Sequence, residues 1–218
     1  MLLHFPVEDQ VAICLEERVP VLSFFWGDPT PYVGRAHAAG VKVFHQVGSV
    51  ADARGVVAVL ALGAQAAVLG TRFLASADSR AHPHYKQKVL EAGEGDTVRT
   101  TLFGHGWPNA PHRTLRTAFV RQWLGQEARG QESRPDEPAV GQTVVGGQPM
   151  PVLRFMGLPP NRDASGDIES MDLLAGQGVG LVGEIRPAGQ IVRDLVEEAR
   201  RIVTQRLTGL AASGVGSS

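Results

Sequence analysis

Gly70 and Thr71 are the residues whose types and order best suit a chemical task, the holding of an anion. A glycine lets the backbone come close to an oxyanion, and the neighbouring hydroxyl adds a donor, which together meet the needs of a phosphate. They follow Ala66-Ala67-Val68-Leu69, an apolar run that reads as a short strand after a helix ending at Leu62-Gly63. Ligands of α/β proteins sit beyond the carboxyl ends of parallel strands, so Gly70 and Thr71 lie where a binding site would be. Taken alone, Gly-Thr after a strand is also an ordinary turn, and the segment gains its meaning from its neighbours.

The remaining reactive side chains are scattered. His45 falls late in a strand, and His105 and His112 flank Trp107-Pro108-Asn109-Ala110-Pro111; each reads as a structural histidine within reach of a site. His82-Pro83-His84 lacks a third ligand at metal spacing, so no metal site is expected. Arg113 and Arg116 are suited to an anionic group or to the edge of a solvated helix. Cys14 shares a helical spacing with Val7, Val11 and Leu15 and reads as a small buried hydrophobe rather than a nucleophile. No catalytic residue follows from spacing alone.

The elements that carry these residues alternate. Residues 7–18 predict an amphipathic helix, and Val19 to Phe25 a nearly continuous apolar strand suited to burial on both faces. A helix through about Ala39 then stops at Gly40, and Val41 to Val47 read as a second strand. Ser49-x-x-Asp52 has the form of a capping box for a helix ending near Gly63, and the third strand runs from Ala66 to Leu69. Strand starts that recur every ~20–25 residues with helices between them imply parallel strands and right-handed crossovers. The fold class is therefore α/β.

Past Phe73 the pattern changes. A polar helix is expected over 83–92, another up to about Trp123, and an exposed segment rich in Gly, Gln, Glu and Pro over 125–150. Asp167-Ile168-Glu169 opens a short helix, and Pro187 starts a helix whose apolar stripe is Ile191, Leu195, Val196, Ala199, Ile202, Val203 and Leu207.

Composition narrows the function classes. The 218 residues, 43% of them hydrophobic, suffice for a buried core. Twenty-one Lys and Arg against 22 Asp and Glu give a net charge of −1 without a basic block, so nucleic acid is not an expected partner. No apolar run reaches the ~18 residues that span a membrane. A single cysteine and an N-terminus interrupted by charge predict a cytoplasmic protein.

Several segments, in order, resemble the nitronate monooxygenases, formerly 2-nitropropane dioxygenases. They are Val21 to Pro29, Ala51-Asp52-Ala53-Arg54-Gly55, Leu62-Gly63-Ala64 through Gly70-Thr71-Arg72-Phe73, Gly106 to Arg113, and Ala175-Gly176-Gln177-Gly178-Val179-Gly180-Leu181. The resemblance covers residues ~7 to ~200. It implies a (β/α)8 TIM barrel that binds FMN at its strand ends and oxidises alkyl nitronates with O2 to a carbonyl compound and nitrite. Val68, Leu69, Gly70 and Thr71 match the family segment that contacts the FMN phosphate, where barrels commonly hold phosphate.

Two departures go with it. A full barrel takes ~250 residues, and this chain starts near the family's third helix. At Val50-Ala51 the family carries a Gln-Gly-x-Glu-Ala-Gly-Gly-His strand and loop and an Ala-Ala-Gly-Gly-Ile strand, neither of which is in the sequence. About 60 residues, two units of ~30, are skipped there. The missing His is the family's candidate base, and the missing Gly-Gly a phosphate contact.

The expected architecture is a partial TIM-barrel-like FMN-binding domain over 1–124, a flexible polar segment over 125–150, a C-terminal helical extension over 151–208 and a disordered tail over 209–218. The expected function is FMN-dependent nitronate oxidation, impaired in this shortened chain, with a small nitronate and O2 as reactants. The alternative is a non-catalytic fragment that binds phosphate weakly or self-associates through open sheet edges into a homo-oligomer. A further reading is another phosphate-binding barrel, such as a flavin-dependent enoyl reductase, which shares the Gly-Thr strand end.

Overall fold

The computed structural model describes residues 6–24, 30–45, 52–61, 66–132 and 134–209, with the His45 side chain excluded. The chain divides into two compact units, Met1–Leu69 with Arg193–Ser218, and Gly70–Val192.

The first unit carries the expected strand–helix alternation. Helix α1 (Glu8–Glu16) leads to β1 (Val21–Phe24), then α2 (Thr30–Ala38), β2 (Lys42–His45) and α3 (Ala53–Ala61). Strands β1 and β2 pair in parallel with Val21 opposite Lys42 and Phe24 opposite His45, as the apolar runs predict. Val7, Val11, Leu22, Phe24, Ala36 and Val41 form the core, with Cys14 and Leu15 packed against it. Phe24 stacks on Tyr32 at 5.5 Å between ring centroids.

Local caps explain where these helices stop. At the end of α2 the Val41 amide reaches Ala36 O and the Gly40 amide reaches His37 O, with Gly40 at φ +74°. That is a Schellman motif with glycine in the left-handed position. Helix α1 ends in the same hydrogen-bond pattern, Val19 to Cys14 and Arg18 to Leu15, but the left-handed residue is Arg18 at φ +49°. At α3 the capping box is corrected. Asp52 is itself the cap, its Oδ1 accepting the Arg54 and Gly55 amides, and Ser49 lies outside the described residues.

A second correction concerns residues 66–69, which form no strand. A central parallel strand must be covered on both faces, whereas Val68 is 40% exposed and two of the four residues are alanines with little side chain to bury. The described residues thus contain small sheets and no closed barrel. Among them no helix is long and apolar enough to cross a membrane.

The second unit is α+β in arrangement. It holds α4 (Thr71–Leu74), α5 (Pro83–Glu91), β3 (Thr97–Thr100), β4 (His112–Leu115), α6 (Ala118–Trp123), α7 (Ala128–Gln131), β5 (Ala139–Val145), β6 (Gln148–Leu153) and β7 (Ser165–Gly166). Strands β3 and β4 pair antiparallel, as do β5 with β6 and β5 with β7. The polar stretch 125–150 therefore contains a helical turn and most of a hairpin. Its Gly146-Gly147 loop, with both φ values positive, joins Val145 to its partner Gln148, which is the two-residue turn such hairpins favour. Composition hid this because the strands are rich in Gly, Gln and Pro. Helix α8 (Ala188–Arg201) follows Pro187 as expected and continues as a π-helix over Ile202–Leu207. Its stripe is only partly covered: Ile191 is buried, while Val196 is 63% exposed.

Candidate functional site

Gly70 precedes the four-residue helix α4, and its carbonyl accepts the Phe73 and Leu74 amides. The amides of Gly70 and Thr71 have no acceptor among the described residues. The Thr71 hydroxyl oxygen accepts the Gly176 amide at 2.9 Å. A hydroxyl has one proton and two lone pairs, so filling a lone pair from Gly176 leaves the Thr71 O–H to donate elsewhere. Arg72 Nη1 donates to Glu184 O at 3.0 Å, and Lys86 Nζ donates to the Ser76 and Ser79 carbonyls. Lys86 is 8% exposed, and its pKa is lowered by that burial and by the nearby Arg162. These bonds fix both ends of α4 and the turn after it.

Gly176 comes from the segment 172–176, which lies against β4. Leu115 N donates to Leu173 O, Ala175 N to Arg113 O, and the Tyr85 hydroxyl to Leu174 O. Beside this ladder His112 Nε2 stands 3.2 Å from Asp172 Oδ2, with side chains only 10% and 3% exposed. Neither His112 Nε2 nor Asp172 Oδ1 has a well-formed hydrogen bond among the described residues, so the contact is an ion pair when the imidazole is protonated. Charge attraction in a poorly solvated setting holds the pair. Burial opposes the imidazolium, but Asp172 and the Ala110 carbonyl on Nδ1 outweigh it and raise the His112 pKa. Tyr85 is buried beside Asp172, and both burial and that charge push its phenol well up.

Most of the other histidines and arginines singled out in the sequence make structural contacts where they are described. His82 caps α5, its Nδ1 accepting the His84 amide, and His84 Nε2 meets Glu169 at 3.0 Å. The His105 amide bonds Phe155 O, and its Nδ1 is buried without a partner among the described residues. Arg113 and Arg116, read as anion contacts or helix-edge residues, reach the Thr97 hydroxyl and carbonyl instead. His45 ends β2, its side chain outside the described residues. Sequence reasoning missed Gly176 as the partner of Thr71, although both lie in motifs it singled out. It missed Asp172 entirely, because an aspartate in a loop carries no signal of burial.

A family model described as nitronate monooxygenase matches residues 47–198. The chain belongs to the nitronate monooxygenase family. It is 33% identical over 169 residues to the nitronate monooxygenase npaC of Metarhizium robertsii, covering 72% of this chain and 41% of that protein. It is 34% identical over 172 residues to a probable nitronate monooxygenase of Bacillus subtilis, covering 77% of this chain and 42% of that one. The chain thus spans about two-fifths of the length of these curated nitronate monooxygenases. Among solved structures it is similar to FabK from Thermotoga maritima, with a TM-score of 0.56 and 28% identity, over 96% of this chain and 77% of that one. A nitroalkane oxidase from Streptomyces ansochromogenes has a TM-score of 0.54 at 22% identity, covering 89% and 68%, and at that distance only the fold is comparable.

Proposed function

We propose that the chain binds FMN by its phosphate at Val68, Leu69, Gly70 and Thr71, and that it oxidises alkyl nitronates with O2 to a carbonyl compound and nitrite. The observation that carries this reading is the local chemistry of the segment. The Gly70 and Thr71 amides lack acceptors among the described residues, and Gly176 turns the Thr71 hydroxyl into a donor. An anion needs free donors close together, and Gly70 has no side chain to block its approach. Family membership supports the flavin phosphate as that anion.

When bound, FMN supplies the redox chemistry. The chain's own part is narrower. Gly70 and Thr71 hold the phosphate, Arg72 and Lys86 fix the backbone around them, and Val68 and Leu69 lead the chain in. No base is required to create the reactive anion, because a nitronate is already deprotonated. His112 is committed to Asp172 and Ala110, and the family's Gln-Gly-x-Glu-Ala-Gly-Gly-His segment is not in the sequence. Lack of that His lowers turnover by ~10²–10⁴-fold where acid–base assistance matters beyond forming the anion, and the substrate's existing charge leaves residual turnover.

Oxygen consumption with propyl-2-nitronate, with and without added FMN, tests the reading. The expected result is slow, FMN-dependent turnover. Binding of FMN with no turnover favours the second reading, a non-catalytic phosphate binder. The small sheets among the described residues, with β1 and β2 as a two-stranded pair, are what speak for that reading and for self-association through sheet edges.

A further inference from the structure

Segment 172–176 has to stay on β4 for Gly176 to reach Thr71, and three neutral hydrogen bonds hold it there: Leu115 to Leu173, Ala175 to Arg113 and Tyr85 to Leu174. Among the described residues, the one charged contact beside that ladder is His112 with Asp172, at 3.2 Å. Asp172 begins the segment and is 2% exposed. A buried carboxylate without compensation is costly, so the segment's first residue favours its place when the facing imidazole carries a proton. The groups around the imidazole are few. Asp172 lies at Nε2, the Ala110 carbonyl at Nδ1, the Phe103 ring 6.1 Å away between centroids, and the Tyr85 hydroxyl beside Asp172.

We propose that the His112–Asp172 pair is a positioning device for the phosphate-binding segment, seating residues 172–176 so that the Gly176 amide orients the Thr71 hydroxyl as a donor. Neither residue touches a ligand; both act through Gly176. The proposal rests on the reading of Gly70 and Thr71 as an anion site, but the seating is measurable without any ligand. Its pH dependence follows from the raised His112 pKa. The pair's contribution is complete below the ordinary histidine value of 6.5 and is lost as pH rises through the higher folded value.

Hydrogen exchange on the full chain, corrected for intrinsic rates, reads the seating directly. In wild type, protection of residues 172–176 should fall as pH rises through the His112 titration while β5 and β6 stay protected. Asp172→Asn should exchange there about tenfold faster at low pH and lose the pH dependence. FMN titration of the same samples should show affinity falling in parallel. Unchanged protection in Asp172→Asn, or protection in wild type that does not respond to pH, overturns the proposal. Should the variant fail to fold, the wild-type pH series decides alone. If the seating loosens as expected but wild type binds no FMN at any pH, the seating stands and the anion-site reading fails.

Discussion

The Thr71 hydroxyl accepts the Gly176 amide at 2.9 Å, joining two residues 105 positions apart in sequence. Each lies in a segment that marks the family, and neither segment alone says what the other is for. The bond gives Thr71 a direction, and with it a reason for threonine rather than valine at this position.

Thr71→Val keeps the shape and removes the oxygen, leaving the Gly176 amide without its acceptor. Stability should drop by about 1 kcal/mol in urea unfolding, and FMN affinity should fall because the donor is lost as well. Thr71→Ser should retain both. A Thr71→Val protein as stable and as competent as wild type would show that this bond carries neither role.

Arg18 sits at φ +49° where α2 uses Gly40 at φ +74° for the same cap. The left-handed region costs a residue with a Cβ about 1 kcal/mol or more. Arg18→Gly should therefore raise stability by about 0.5–1 kcal/mol. Thermal unfolding of the variant checks it, and a lower midpoint would mean that the Arg18 side chain makes a compensating contact.

Glu137 is 1% exposed at its side chain and lies between Arg129 at 2.7 Å and Arg154 at 2.5 Å. Burial works against its charge, yet the two guanidinium groups hold its pKa below the usual 4.5. The stability it lends is present above pH 4.5 and disappears as pH falls through the depressed value. Glu137→Ala leaves both arginines facing Phe155 with no counter-charge and should cost about 3 kcal/mol. Denaturant unfolding at neutral and acid pH should show the wild-type advantage shrinking at acid pH; an advantage independent of pH would contradict this account.

What the sequence disclosed follows from which forces are local. Apolar continuity over Val21–Phe24 and Lys42–His45, and the Gly40 stop, are properties of neighbouring residues, and the parallel β1–β2 pair appeared as expected. Ala66–Leu69 looked like a strand by the same criterion, but pairing is decided by distant partners. The Gly146-Gly147 hairpin was concealed by strands interrupted by Gly, Gln and Pro, in which only Thr143 and Val152 are buried. At the candidate site, Gly70 and Thr71 were legible because backbone access and a hydroxyl are intrinsic to their types. Gly176, Asp172 and the pairing with His112 were not, since each depends on the fold of residues 172–176 along β4.

The central claim is that the Gly70-Thr71 backbone receives the FMN phosphate. Titrating FMN into wild type and into Gly70→Val, followed by flavin fluorescence and with circular dichroism to verify folding, tests it most directly. The account predicts saturable binding by wild type and none by Gly70→Val, because a branched side chain stands where the phosphate must approach the amides. Equal affinity in a folded Gly70→Val protein would contradict it and put the site elsewhere.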